Sequence, residues 1–557
     1  MRKNLIALSV ATLVGSLGMV ATANANVLRD TSAVSPTDAT ITTYSVGGRG
    51  HQLFLPYFNV QNGNATLLNL INTDVTNAKA VKVRFRGGSN SDDVFDFQLY
   101  MSPGDVWAAQ LSRGADGRTV LTTTDKSCTI PAAVGKDAGG PNSAFVTARL
   151  PGTLTGDALA RETREGYVEV FNMADIPPKA IDTATGAALA VANPLFTAVK
   201  HVAGVAPCTP ATMAILAANP VTVDGAAGAW AMGLRAPSSG LFGNWAIVNV
   251  PKAGTATGEF STLVAKPNAL SNVAGRGNIV FFPQTGDPAP TPDLYTSDPS
   301  LRTIAGVNAG DVSNGAAGPY AGGALPIVQA SMFDLPDIST PYLLLAAYPP
   351  VYTDPVNYIT ALQISSFETF EVMNEYLTDT NINAFTDWTF SQITRRYGVA
   401  PDYRALPALG RAFTVMAAGP FYPYYSAANT SVSGFQICVN TQGVIFWDRE
   451  ENTAIGTSFV ISPNPPVPQF RLCGETSVLT FNSTGPSVLG AEIARTNFST
   501  GSFRDGWARV GFQGAGGPVW GIPVVGKSFV NASTGSTAGS LNVGGSWEHR
   551  YRNFDNP

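Results

Sequence analysis

The chain has three imidazoles in 557 residues, His51, His201 and His549, and imidazole is the commonest general acid or base near neutral pH. His51 precedes a strand pattern, His201 stands in an Ala-rich stretch, and His549 opens the basic run His549-Arg550-Tyr551-Arg552. No G-x-S-x-G elbow, H-E-x-x-H pair, Walker A loop or dinucleotide-binding fingerprint occurs. A glycosidase pair of carboxylates needs no set spacing in sequence, so Asp92, Asp93, Asp96, Glu368, Glu371 and Glu375 qualify by type. All six also read as solvated strand or turn residues. The expectation is a chain without catalytic residues.

Asp379, Asn381, Asn383 and Asp387 fall at positions 1, 3, 5 and 9 of a loop, the opening of a calcium-binding pattern. Ala384 stands where that pattern has Gly, and Phe390 where it has a bidentate Glu. The plainer reading is an Asx-rich hairpin loop whose side chains bond their own backbone. Calcium is therefore the one cofactor the residues could serve, and no metal site is assigned. Aromatics flank prolines in several places, as in Phe54–Phe58 and Tyr348–Tyr352, where they read as plugs at strand ends. Phe421, Tyr422, Tyr424 and Tyr425 surround Pro423. A run this bulky cannot face one core throughout, so this cluster is the candidate platform for a glycan or hydrophobic ligand.

The cysteines are Cys128, Cys208, Cys438 and Cys473. Four cysteines allow three connectivities; proximity favours Cys128 with Cys208 and Cys438 with Cys473. No C-x-x-C pair occurs, so these residues read as disulfides rather than metal ligands.

The elements that would position such groups are short strands. Charged residues make up 13% of the chain, with 56 Gly and 39 Pro, against about 25% charged in an average globular protein. That composition excludes a charged disordered tail and a coiled coil, and a net charge of −5 leaves no electrostatic footprint for nucleic acid. Between Lys79 and Arg86, Val81, Val83 and Phe85 alternate with Lys82, Arg84 and Arg86, the period-2 pattern of a half-buried strand. Similar runs recur between turns, which predicts a mainly β chain of antiparallel β-sandwich (Ig-like) domains with a small helical insertion. Strands this short and proline-dense argue against an outer-membrane barrel.

Along the chain, residues 1–25 read as a signal peptide: a basic start at Arg2 and Lys3, an apolar run, and Ala23-Asn24-Ala25 as the cleavage motif. Residues 26–47 read as an extended leader, and 48–285 as a β-sandwich domain with an Ala-rich helical insertion at about 177–218. Residues 286–323 read as a Pro/Gly-rich loop or linker, and 324–557 as a second β-rich domain with a helix expected to start at Asp354-Pro355. No later stretch is long and apolar enough for a membrane helix.

Several stretches resemble a family of uncharacterised exported bacterial cell-surface or envelope proteins. They are Leu53–Val60, Asn69–Thr73, Lys79–Phe85, Leu99–Trp107, Thr386-Asp387-Trp388, Arg395-Arg396-Tyr397 and Asn542–His549. The resemblance implies export and a β-rich fold and carries no catalytic residues over. The expected function is an exported, non-catalytic structural or adhesive protein of the cell envelope, such as a surface-layer subunit that assembles with copies of itself. A secreted or periplasmic module binding a glycan or hydrophobic ligand is the alternative, and a secreted hydrolase the third reading. Cell surface, extracellular space and periplasm all fit as locations.

Overall fold

The computed structural model describes residues 26–137, 139–147, 150–151, 153–217, 226–252, 254–281, 338, 342–343, 365–401, 412–414, 424–453, 470–482, 485, 487–533 and 542–552. The expected signal peptide, the 286–323 linker and the helix expected from Asp354 lie outside these residues. What is described is mainly β, in open sheets that form two sandwiches.

In the first sandwich, a five-stranded sheet packs on a seven-stranded one. The smaller sheet orders Gly254–Glu259, Leu241–Asn249, Asn64–Asn72, Val106–Arg113 and Thr119–Thr122. Its strands alternate as expected, Val106–Arg113 turning Trp107, Ala109 and Leu111 inward and Val106, Ala108 and Gln110 outward. The larger sheet has Gln52–Asn59, Glu165–Ile176, Ala78–Gly87 and Asp93–Met101 adjacent at its centre. Leu53, Leu55, Val81, Val83, Phe85, Phe97, Val168 and Val170 point from it into the core between the sheets. Each such fully buried side chain contributes about 1.5–3 kcal/mol.

The other face of the larger sheet differs from the sequence expectation. Lys82, Arg84 and Arg86 were expected on a solvated face, yet each is no more than 1% exposed. Asp92, Asp93 and Asp96 are likewise buried rather than solvated. The reason is that the second sandwich covers this face. Phe54, Tyr167 and Phe171, which share it, belong to one apolar cluster with Trp388, Tyr397 and Val399. Period-2 alternation thus separates an apolar interior from a charged one, not an interior from water.

The second sandwich pairs a four-stranded sheet (Val444–Asp448, Asp505–Gly511, Glu371–Leu377, Arg550–Arg552) with a five-stranded sheet. The latter orders Arg495–Phe498, Thr476–Phe481, Phe385–Ser391, Lys527–Ser533 and Asn542–Glu548. Trp388, Phe390, Phe446, Leu479 and Phe481 fill the space between them. The reverse face of that five-stranded sheet sends Val478 and Phe529 into the first sandwich's core, with Phe529 ring-to-ring against Trp245 at 5.9 Å. The ends of the Gly/Ser/Thr-rich stretch 531–545 are strand: Lys527–Ser533 pairs with Asn542–Glu548.

Both expected disulfides form. Cys438 and Cys473 are register partners in a three-stranded sheet. Cys128, on the edge strand Cys128–Ile130, is joined to Cys208 in the insertion. That insertion contains the hairpin Lys179–Ile181/Ala188–Ala192 and the helices Pro194–Val199 and Pro210–Ala217. Asn193 caps the first helix by accepting from the Leu195 N–H, with Pro194 at its first position.

Candidate functional site

The densest gathering of reactive side chains lies between the two sandwiches. Lys82, Arg84 and Arg86 leave one strand on one face; Asp93 and Asp96 come from the next strand and Glu169 from the strand on the other side. Lys82 pairs with Asp96, Arg84 Nε lies 3.1 Å from Asp93 Oδ2, and Arg86 Nε lies 3.2 Å from Glu169 Oε2. The second sandwich supplies Arg395 and Arg396 from the 3-10 turn Arg395–Tyr397. Arg396 Nη2 reaches Glu169 Oε1 at 3.0 Å while its Nη1 donates to the Tyr167 hydroxyl at 2.6 Å. Arg395 Nη2 pairs with Glu475 Oε2 at 2.7 Å. Burial pushes the Glu475 carboxyl up, and Arg395 and Arg396 oppose that shift. Backbone bonds close the seam, from Glu475 N–H to Ser89 O at 3.1 Å and Thr476 N–H to Gly88 O at 2.9 Å.

Beside this layer, Glu165 accepts from the Tyr57 hydroxyl at 2.9 Å and from the Glu492 N–H at 2.8 Å. Burial pushes its carboxyl up to about 7, and burial does the same for Glu162. An elevated carboxyl is the usual mark of a general acid, but Glu165 is only 2% exposed and its partners come from both sandwiches. Its geometry is that of a joint, not of a cleft.

A serine, a histidine and an aspartate meet where the insertion touches the first sandwich. Ser102 Oγ bonds His201 Nδ1, Asp105 Oδ2 stands 3.5 Å from the same nitrogen, and Ser127 Oγ donates to that carboxylate at 3.1 Å. A nucleophilic triad needs the serine on one ring nitrogen and the carboxylate on the other. Here both meet Nδ1, so the group ties the insertion to the Ser102–Asp105 turn. His51 and His549 are core residues. The His51 ring bridges Gly275 O at 3.0 Å and the Ala265 N–H at 3.1 Å, and His549 Nε2 bonds Thr389 O at 3.0 Å. Burial pushes both rings down to about 3.

The residues singled out in the sequence are dispersed. Asp379 caps a short turn through the Asn381 N–H at 2.9 Å, and Asn383 Nδ2 donates to Ser533 Oγ at 2.7 Å. Asp387 is fully buried and accepts from the Leu489 N–H at 2.9 Å, engaging the 487–489 loop instead of the Asp379–Asn383 turn. Glu371 pairs with Arg509 at 2.7 Å, Glu368 accepts from the Gly521 N–H at 2.8 Å, and Glu375 is exposed. Tyr424 and Tyr425 are 2% and 1% exposed. Their hydroxyls donate to Glu368 and to Pro523 O, so these two are core side chains, not a platform. Phe421 and Tyr422 lie outside the described residues.

No family model, curated protein or solved structure matches this chain.

Two surfaces stand out once the fold is known. On the outer face of the first sandwich's five-stranded sheet, the three central strands present Leu67, Asn69, Ile71, Phe242, Asn244, Val248, Val106 and Gln110, and not one charge. On the outer face of the second sandwich, Trp447 and Trp507 are register partners with rings stacked 4.1 Å apart at 9°. Trp507 is 41% exposed, and the Arg509 guanidinium lies 5.7 Å from the Trp447 ring. Period-2 alternation in each strand was the available signal for both surfaces; which strands lie side by side was not.

Proposed function

We propose that this is an exported, non-catalytic structural or adhesive protein of the cell envelope, built to assemble with copies of itself as a surface-layer subunit does. The observation that carries the reading is the outer sheet face around Leu67 and Ile71, whose three central strands present no charge, Glu259 standing at its edge beside Phe242. A face whose centre carries no charge can meet a second copy while desolvating few ions. The two disulfides suit an oxidising, non-cytoplasmic location, and no helix among the described residues is long and apolar enough to cross a membrane. Fractionation together with electron microscopy of intact cells tests the reading. The expected result is a cell-surface fraction in ordered arrays that Leu67→Arg disperses. A soluble periplasmic monomer would overturn it.

A glycan-binding module is the second reading, favoured by the Trp447–Trp507 stack with its neighbouring Arg509–Glu371 pair. Indole faces pack on sugar rings while charged side chains bond hydroxyls. Trp507→Ala should then abolish retention on immobilised envelope polysaccharide without moving the thermal midpoint. Unchanged retention rules that surface out.

A further inference from the structure

A small cavity of about 140 Å³ opens between the first sandwich and its insertion, with Asp175, Lys179, Arg235 and Arg276 among its lining residues. Its mouth is exposed at Val34, Lys179 and Ala188, and its floor is buried at Asp175, Ile181 and Arg235. Three of the four charges around it are positive. The floor carboxylate, Asp175, is already occupied: Lys79 Nζ lies 2.8 Å from Oδ1 and the Ser238 N–H 3.2 Å from Oδ2. Arg276 Nη1 reaches the same Oδ2 at 3.4 Å and the Ala236 carbonyl at 3.1 Å, with 30% of its side chain exposed.

Arg235 is held in a fixed pose. Its guanidinium lies 5.7 Å from the Trp230 ring centroid, one Nη donates to Gly186 O, and 5% of the side chain is exposed. The other nitrogen, Nη1, has Asp30 Oδ2 as its partner at 3.7 Å, a long ion pair that leaves room for a second, closer acceptor. A buried guanidinium nitrogen held this far from its carboxylate is under-bonded, and a water, an ion or a ligand in the cavity can supply the closer acceptor.

We propose that this cavity binds the carboxylate of a small acid, with Arg235 Nη1 and Arg276 as its two donors and Lys179 guarding the entrance. A planar guanidinium matches a carboxylate edge to edge. A single negative charge also suits the site better than a dianionic phosphate, which would approach the carboxylates of Asp30 and Asp175. The volume is that of a small organic acid, not of one water. The inference does not depend on the envelope reading, since it concerns a different face of the molecule.

Isothermal titration of the folded chain with glucuronate, acetate, glucose and inorganic phosphate tests it. Glucuronate or acetate should bind at one site at least tenfold more tightly than phosphate, and glucose should give no heat. Binding of glucuronate alone points to a sugar acid, and equal binding of acetate to a free small carboxylate. Arg235→Lys keeps the charge but loses the fork and should weaken binding at least tenfold. Lys179→Gln, an exposed change that leaves the floor intact, should weaken it several-fold and reduce its salt dependence. The proposal is overturned if neither carboxylate binds, if phosphate binds as tightly, or if Lys179→Gln and Arg276→Gln, both folded, bind as the parent does.

Discussion

Glu169→Gln is expected to destabilise the protein by about 3–5 kcal/mol, because it breaks a buried ion pair from one side only. Glu169 is fully buried between two guanidiniums, Arg86 of its own sandwich and Arg396 of the other. Neutralising it leaves two cations facing each other across a seam that water does not reach. Their repulsion adds to the loss of two charge-assisted hydrogen bonds. Urea unfolding at pH 7 measures the effect, with Glu371→Gln as the matched control. Glu371 also pairs with an arginine, at 2.7 Å, but 36% of that arginine side chain is exposed, and pairs of that kind contribute about 0–1 kcal/mol. Losses of similar size in the two variants would mean that the seam is wet and the layer weakly coupled.

The second large effect is a pH profile with a flat middle and a steep acid limb. Burial pushes His51 and His549 from 6.5 down to about 3. The stability they contribute is complete above pH 6.5 and is lost as pH falls from 6.5 towards 3. Glu162 and Glu165 act in the opposite sense, since burial raises both from 4.5 to about 7. Their contribution is complete below pH 4.5 and is lost as pH rises from 4.5 to 7. Between pH 4.5 and 6.5 two imidazoles and two carboxyls therefore offset one another. Below 4.5 the histidine effect continues without the opposition of Glu162 and Glu165, removing about 4 kcal/mol by pH 3 for the two rings together. Denaturant midpoints at constant ionic strength check this. His549→Gln should halve the acid limb, and Glu165→Gln should make the loss begin near pH 6.5. A profile that falls evenly from pH 7 to 3 in the parent protein contradicts the assignment.

Legibility in the sequence followed the range of the interaction. Val81, Val83 and Phe85 announce a strand because alternation is local, and the pattern of turns gives the β-sandwich class. The same run could not reveal what covers Lys82, Arg84 and Arg86, because their lid is Arg395–Tyr397, some three hundred residues on. Cys438 and Cys473 could be paired by proximity, and they prove to be neighbours across one ladder. Tyr424 and Tyr425 looked like a platform because five bulky residues in a row cannot all be core in one regular strand. Tyr424 and Tyr425 stand outside any strand, and both rings turn inward. Trp447 and Trp507 went unnoticed because their stacking depends on a register between strands sixty residues apart. The meeting of Ser102 with His201 has the same cause, since it needs the insertion folded back on its disulfide.

The central claim is that the buried charged layer joins the two sandwiches into a single folding unit. Differential scanning calorimetry of the folded chain tests it most directly. One transition is expected, with calorimetric and van't Hoff enthalpies equal, moving as a whole to lower temperature in Glu169→Gln. Two resolved transitions in the parent protein, with Glu169→Gln shifting only one of them, would contradict it.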